Sequence, residues 1–329
     1  MERQYAIGLM VGERVDAQFA LRAKEMRASR TGEAYLSLEF GDRSGRIGGI
    51  MFRPGREAES VPTGTVVYVR GTVTAYRGVL RISVEAMHPA LRYDLREIMP
   101  AGPRDIDEML EELRNHVRAI QDRGLGLLVR SIFADRELMK RFKACPATRS
   151  DHHAYINGLL EHTVAVAGIC RTMADLHPEI DADLLLAGAL LHDIGVVDAL
   201  EFQTSIERTD RGRLIGPSIL GERRLVAAAA GTGLVPEQVV DQLAHMLLSH
   251  ESASGGVEGL RPCTLEATVL ASAHALDARS AEYVTTGRRA SAVGESWTED
   301  GVRVLQPRAV PPIPRRQSSR TTARYARIA

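Results

Sequence analysis

The chain has 329 residues, 44% of them hydrophobic and 26% charged, and its 42 basic side chains balance 42 acidic ones. This composition excludes a disordered chain, a collagen and a disulfide-stabilised miniprotein, and no uncharged apolar run reaches the roughly 18 residues of a membrane span. The neutral total hides a basic segment at 14–90 (12 basic and 8 acidic, net +4), an acidic segment at 151–287 (8 and 19, net −11) and a basic tail at 288–329 (9 and 3, net +6). Overall neutrality therefore does not exclude a nucleic-acid partner.

The first ninety residues predict β-structure. Short segments with apolar residues near a period of two are separated by turns rich in glycine, and one hairpin is expected at Tyr76-Arg77-Gly78. The predicted strands are 16–26, 34–40, 46–52, 66–73 and 79–84. Five short strands with such turns favour a small closed barrel, and we expect the apolar segment around Tyr68 to bury that ring in the barrel core.

The rest of the chain predicts helices, because its apolar residues recur at helical spacing. The expected helices are 105–121, 125–143, 158–175, 181–194, 218–230, 236–249 and 264–286, with Gly195 as a helix C-cap. The chain is thus expected to be multidomain, with an all-β barrel followed by an all-α part. Its predicted segments are the barrel at 1–92, a helical connector at 93–150, a second helical segment at 151–287 and a basic, disordered tail at 288–329.

Histidines carry the main chemical signal. Eight of the ten lie between residues 152 and 274, and His192-Asp193 follows a strongly apolar helical segment. Neighbouring residues on a helix project about 100° apart, so both side chains can reach one ion, and imidazole with carboxylate suits Mn, Fe, Co or Zn. His162, on the preceding helix, can supply a further ligand, whereas an isolated histidine such as His177 is more often structural.

Four motifs resemble the HD-domain metal-dependent phosphohydrolases, and more closely the YhaM-type 3′→5′ exoribonucleases. They are HHAYINGLLEHT at 152–163, LLLAGALLHDIG at 184–195, LAHMLLSHE at 243–251 and PCTLEATVLASAHALDAR at 262–279. In that family an OB-fold precedes the HD domain, and the strand pattern of 14–90 fits this order. The resemblance therefore implies an all-β OB-fold barrel at 1–92 and an all-α HD domain, which binds the metal, at 151–287. The resemblance implies that His162, His192, Asp193 and His250 are metal ligands and that one or two divalent ions, most often Mn²⁺, are the cofactor.

The chain departs from the family motif at four positions. Val196 replaces a lysine that usually follows HDIG, Pro217 stands where the family supplies a histidine ligand, Glu251 replaces a histidine, and His274 aligns with the final Asp. His274 and Glu251 can still bind a metal, whereas Pro217 cannot. We take His245 and Glu251 as candidate catalytic residues, although on a continuous helix His245 would lie about 140° from His250 and be a supporting or structural residue.

The basic barrel is the candidate site for nucleic-acid capture, since OB folds stack bases on aromatic rings while basic groups follow the backbone. The candidates are Tyr35, Arg46, Phe52, Arg70, Tyr76, Arg77 and Arg81. The alternative for each ring is a place in the barrel interior. The expected partner is single-stranded RNA, with single-stranded DNA as the alternative. No membrane association is expected, and the sequence leaves open whether the chain forms a homo-oligomer.

The resemblance implies a metal-dependent 3′→5′ exoribonuclease that hydrolyses single-stranded RNA by metal-activated water. Two alternatives remain open: a catalytically impaired HD-domain protein that binds single-stranded nucleic acid, and an HD phosphohydrolase of small phosphoesters. Three scattered cysteines without a CxxC pair, and an N-terminus unlike a signal peptide, predict a reducing, cytoplasmic location.

Overall fold

The computed structural model describes residues 3–28, 32–76, 78–100, 102–202, 204–251, 260–292 and Trp297, with the backbone alone over 286–292. The predicted fold class, a five-stranded barrel followed by a helical domain, is confirmed. Arg77 and most of the predicted basic tail lie outside the described residues.

Five strands form the closed barrel: β1 (Arg14–Ala28), β2 (Ala34–Gly41), β3 (Arg46–Phe52), β4 (Val66–Tyr76) and β5 (Val79–Pro89). Their order around the barrel is β1-β2-β3-β5-β4, and the pairing is antiparallel except between β3 and β5. A 3-10 turn at Ala6–Gly8 precedes β1, and a short helix α1 (Arg56–Ser60) lies between β3 and β4, where the sequence analysis predicted no element.

Side chains alternate between the inside and the outside of the barrel, as the pleat requires. On β4, Val67, Val69 and Val73 are buried, whereas Tyr68 is half-buried and Arg70 is exposed. The expected core position of Tyr68 is therefore wrong, because Tyr68 shares the outward register of Arg70 and stacks on His88 with ring centroids 5.4 Å apart.

Helices and one small sheet form the remainder of the described chain. The helices before the candidate site are α2 (Leu95–Ile98), α3 (Ile106–Ala119), α4 (Arg123–Phe133) and α5 (Arg136–Ala144). Those that follow are α6 (Gly158–Leu176), α7 (Ala182–Leu191), α8 (Val196–Ala199), α9 (Asp210–Leu214), α10 (Pro217–Thr232), α11 (Glu237–Ser249) and α12 (Leu265–Ala292), with β6 (Leu200–Phe202) pairing β7 (Ile206–Arg208) between α8 and α9.

One predicted helix is divided in the structure and another is shorter than predicted. The segment predicted as one helix at 125–143 breaks because the Asp135 side chain accepts hydrogen bonds from the backbone N–H groups of Glu137 and Leu138, and so caps α5. The segment predicted at 181–194 ends as a helix at Leu191, and the chain turns through His192 and Asp193 before α8 begins. α12 instead runs beyond the boundary predicted at residue 287 and ends at Ala292.

The helices pack around one apolar core, which is separate from the barrel core. Met109 of α3, Leu128 of α4 and Phe142 of α5 are fully buried in the same cluster as Leu185 of α7 and Leu270 of α12. The helices predicted as a connector therefore pack within the core of the helical domain. None of the helices in the described residues combines the length and the apolar character that a membrane crossing needs.

Candidate metal centre

Three segments of the helical domain bring four potential ligands together. His162 lies on α6, His192 and Asp193 follow the end of α7, and His274 lies on α12. One ligand atom from each of the four lies within 4.8 Å of the others, and all four residues are buried. We call these four residues the ligand cluster. It lies in the interior because α7 is buried from Leu184 to its end at Leu191, so the polar pair that follows it lies inside the apolar core.

The donor spacing in the ligand cluster is compatible with a single ion. The His162 Nε2 and His192 Nε2 atoms are 3.1 Å apart, and the Asp193 Oδ2 atom is 3.6 Å from the former and 3.5 Å from the latter. Ligands that each lie about 2.0–2.2 Å from one metal are separated from each other by roughly 3 Å. The spacing thus leaves room for one divalent cation between these atoms.

Hydrogen bonds fix which nitrogen of each imidazole faces the cluster. The His192 Nδ1–H donates to the Ala189 carbonyl oxygen at 2.8 Å, and the His162 Nδ1–H donates to the Asp277 carboxylate at 2.7 Å. A neutral imidazole with its proton on Nδ1 presents a lone pair on Nε2. Two such lone pairs face each other at 3.1 Å, an arrangement that a cation between them would stabilise. The donor set therefore fits a divalent metal.

The electrostatic environment keeps His192, Asp193 and His274 in metal-binding form at neutral pH. Burial lowers the pKa of His192 to about 3 and that of His274 to about 2. Burial opposes ionisation of Asp193, but His192, His250 and His162 nevertheless hold the pKa of that carboxyl well below its usual range. Neutral imidazoles around a carboxylate are the protonation states that a metal requires.

His250 and Glu251 extend the ligand cluster on one side. His250 Nε2 lies 3.3 Å from Asp193 Oδ1, and ligand atoms of His250, Glu251 and His274 lie within 4.8 Å of one another. Burial and the nearby Asp193 raise the pKa of Glu251, whose carboxyl group is hydrogen-bonded to Ser218. The structure thus brings His250 and Glu251 next to the four ligands, in a position where a second cation could bind.

His245, the other predicted catalytic residue, does not reach this cluster. Its Nε2 accepts a hydrogen bond from the Cys263 backbone N–H at 3.0 Å and lies 3.2 Å from the Cys263 sulfur. α11 is continuous from Glu237 to Ser249, so the helix does not break between His245 and His250. His245 therefore lies on the side of α11 that contacts the segment before α12.

The residues that support His162 were not among the predicted site residues. The Asp277 Oδ2 atom accepts hydrogen bonds from His162 Nδ1 at 2.7 Å and from His153 Nε2 at 2.8 Å. The Tyr155 hydroxyl lies 2.7 Å from His153 Nδ1 and donates to Glu161 at 3.0 Å. Although burial opposes it, the bonds from His153 and His162 hold the pKa of Asp277 well below its usual range. The spacing in the sequence could have identified Asp277, since this residue lies one helical turn after His274 and therefore on the same side of the helix.

The positions that depart from the family motif have structural roles here. Val196 is 4% exposed in the core on α8, and Pro217 is the first residue of α10, where its missing N–H costs no helical hydrogen bond. The predicted C-cap at Gly195 is wrong, because its φ is −76° and it precedes α8. A glycine is needed there for close packing, since a Cβ atom would lie 2.1 Å from the Pro217 carbonyl oxygen.

The candidate nucleic-acid residues do not all lie on one face of the barrel. Tyr35 of β2 and Phe52 of β3 are paired in register, with ring centroids 5.7 Å apart, and Phe52 is 50% exposed. Arg81 of β5 lies over the Tyr76 ring, 4.5 Å from its centroid, and pairs in register with Gly48 of β3.

Two other predicted arginines have different surroundings. Arg46 forms an ion pair with Glu39 at 2.9 Å, and Arg70 is aligned with Asp16 on β1, away from β2 and β3. Arg77 lies outside the described residues, so the structure gives it no position. Strands β2, β3 and β5 therefore carry the aromatic pair and Arg81 on one continuous part of the barrel surface, which we call the aromatic face.

Comparisons with known proteins agree with both parts of the fold. Residues 159–279 match the HD domain family, and residues 20–90 match the OB-fold nucleic acid binding domain family. The 3′-5′ exoribonuclease YhaM of Geobacillus sp. (strain WCH70) is 29% identical over 275 residues, which cover 82% of this chain and 83% of that protein. YhaM of Bacillus subtilis (strain 168) is 27% identical over 274 residues, covering 82% and 86%.

Among solved structures, the second OB-fold domain of replication protein A from Methanococcus maripaludis is similar to part of the chain. It is 21% identical, with a TM-score of 0.23, and the match covers 28% of this chain and 98% of that domain. The family matches place an OB-fold domain before an HD domain, and the YhaM proteins match most of the chain. The chain therefore contains an OB-fold barrel followed by an HD domain, and its predicted resemblance to the YhaM-type exoribonucleases is confirmed.

Proposed function

We propose that this chain is a metal-dependent 3′→5′ exoribonuclease that acts on single-stranded RNA in the cytoplasm. The observation that carries the proposal is the buried ligand cluster, in which the Nε2 atoms of His162 and His192 face each other beside Asp193. The match to YhaM proteins supports the reaction class. The three cysteines are free, two of them buried and one exposed, which is compatible with a reducing compartment.

Each residue of the centre has a separate task in this proposal. His162, His192, Asp193 and His274 would hold a divalent ion, for which imidazole and carboxylate donors are suited, and the resemblance to the YhaM-type enzymes favours Mn²⁺. When bound, that ion would act as a Lewis acid toward a phosphodiester and lower the pKa of water. Asp277 and the Ala189 carbonyl orient two imidazoles so that their Nε2 atoms face inward.

The barrel would supply RNA to this centre. The helical domain is acidic and repels a polyanion, whereas the barrel segment has a net positive charge and an exposed aromatic ring at Phe52. Bases can stack on such rings without sequence preference, because every base has a π-face. Single-stranded DNA would be bound by the same contacts, since neither stacking nor phosphate attraction requires a 2′-hydroxyl group.

The test measures the direction in which RNA is degraded and whether degradation requires a divalent metal. Single-stranded RNA labelled at its 5′ end is incubated with the full chain and Mn²⁺, and we expect successive shortening from the 3′ end with release of mononucleotides. EDTA should stop the reaction, and an RNA blocked at its 3′ hydroxyl should resist it. Cleavage of the blocked RNA at internal positions, or release that is indifferent to EDTA, would refute the proposed activity.

A second candidate, a protein that binds single-stranded nucleic acid without cleaving it, is favoured by two positions. Val196 is buried and Pro217 begins a helix, so neither can assist at a phosphate or a metal. This function predicts tight RNA binding with no mononucleotide release under any divalent metal. A small phosphoester substrate would instead be revealed by hydrolysis of bis(p-nitrophenyl) phosphate that excess RNA does not inhibit.

A further inference from the structure

A cavity of about 440 Å³ lies between α3, α4 and α5, and it shares no residue with the ligand cluster. Its floor is apolar, formed mainly by Leu110, Leu113 and Val117 of α3 with Phe133 of α4 and Met139 of α5. This volume is within the range of small-molecule sites, which are mostly apolar with a few placed polar groups. The cavity is therefore large enough to take a ligand rather than a single water molecule.

Four cationic side chains surround the cavity. Arg114 and Arg118 come from α3, Arg130 from α4 and Lys143 from α5. The first two share a single carboxylate, Glu111, at 3.1 and 3.0 Å, and both guanidinium groups remain more than half exposed. Among the described residues, Arg130 and Lys143 have no ion-pair partner. The rim thus has an excess of positive charge with at least two cations available to a ligand.

The chemistry of the lining favours one type of ligand. Of the described residues that line the cavity, none carries a carboxylate, amide or hydroxyl group. A nucleobase buried there would find no side-chain acceptor for its N–H donors, which is unfavourable. An alkyl chain has no such groups to satisfy, and a carboxylate at its end could be bound by Arg130 and Lys143 at the rim.

We propose that the cavity between α3, α4 and α5 binds a medium-chain alkyl carboxylate, with its chain against Leu110, Val117 and Phe133 and its carboxylate against Arg130 and Lys143. This site is independent of the proposed nuclease activity, because its residues come from the helices that precede α6. Its α5 end is nevertheless linked to the candidate metal centre, since the Lys143 carbonyl accepts a hydrogen bond from Asn157 immediately before α6.

The test is calorimetric titration of the full chain with hexanoate, octanoate and decanoate. We expect binding that strengthens about fourfold for each added methylene, because each buries further apolar surface. Decanol, which has the same chain without the charge, should bind at least about tenfold more weakly than decanoate. Adenosine monophosphate should not compete with decanoate, and competition by it would show that the cavity accepts nucleotides instead.

Variants assign the binding to this cavity. Arg130→Ala with Lys143→Ala should weaken decanoate binding about tenfold or more, whereas Lys140→Ala, an exposed lysine on the same helix, should leave it unchanged. Ala134→Phe, at an exposed lining position, should fill the cavity and abolish binding. Circular dichroism confirms that each variant is folded. The proposal would be overturned if decanoate did not bind the wild-type chain, or if it bound both cavity variants as tightly as the wild-type chain.

Discussion

The barrel and the helical domain place their reactive groups in opposite environments. On the barrel, Phe52 is 50% exposed and Tyr76 is 53% exposed, whereas in the helical domain His162 is 0% and His192 is 1% exposed. An exposed aromatic ring contributes little to the stability of the fold, and its surface is accessible to a ligand. Buried imidazoles without a cation are costly, because polar groups in an apolar interior need partners. The comparison indicates that the barrel is arranged for capture and the helical domain for holding an ion.

This contrast separates the two parts experimentally. Changes on the aromatic face should raise KM with little effect on kcat, because they alter substrate binding alone. Changes in the ligand cluster should lower kcat and metal content while RNA binding persists. A barrel variant that loses metal, or a cluster variant that loses RNA binding, would contradict this division.

The largest effect is expected from His192→Ala combined with Asp193→Ala. Removing two of the four clustered donors should abolish tight metal binding and lower exonuclease activity by about a thousandfold or more, since the metal's contribution to phosphodiester hydrolysis is lost. Metal content is measured by mass spectrometry after gel filtration, and activity by mononucleotide release. The matched control is His177→Ala, an exposed histidine at the end of α6.

The same double variant also tests the fold. Truncating these two buried side chains leaves a cavity and removes the carboxylate beside His250, so we expect the variant to unfold at a lower urea concentration than the metal-free wild-type chain. Added Mn²⁺ should stabilise the wild-type chain and leave the variant unaffected, because only the native site binds the ion. Equal stabilisation of both by Mn²⁺ would place the metal elsewhere.

A smaller effect is expected from Asp277→Asn. The asparagine keeps the size of the side chain but loses the charge that fixes His162 through Nδ1, and loss of such a partner typically weakens metal binding by about 10- to 100-fold. Competition with a fluorescent chelator measures the affinity, with Asp241→Asn on the exposed side of α11 as the control. Asp277→Asn with unchanged metal affinity would show that Asp277 only supports packing.

Much of this arrangement could be predicted from the sequence. Period-two and helical patterns identify the five strands and the principal helices, and the HD pair identifies the end of α7. Asp277 could not be predicted by those signals, because its partners His153 and His162 are more than a hundred residues away and only tertiary packing brings them together. The predicted core position of Tyr68 is wrong for a related reason, since the register of its strand, and not its apolar neighbours, decides which side of the barrel the ring faces.

On the barrel, Phe52→Ala should weaken binding of single-stranded RNA by about fivefold, because stacking on one ring contributes roughly 1 kcal/mol or more. The ring pairs with Tyr35, so part of the stacking surface remains. Fluorescence anisotropy with labelled oligouridine measures the affinity. Tyr93→Ala, an exposed aromatic residue beyond β5, is the control and should bind as the wild-type chain does.

The smallest effect concerns salt, and it distinguishes two arginines on the barrel. Arg81 lies on the aromatic face beside Tyr76, whereas Arg70 is aligned with Asp16 on β1, so only Arg81 is placed to contact a phosphate of RNA bound across β2 and β3. Each phosphate contact to a single strand contributes about 0.7 to the slope of log K against log salt concentration. Arg81→Ala should reduce the slope by about that amount. Arg70→Ala should leave it unchanged, and the reverse result would place the RNA on the β1 and β4 side of the barrel, away from Phe52.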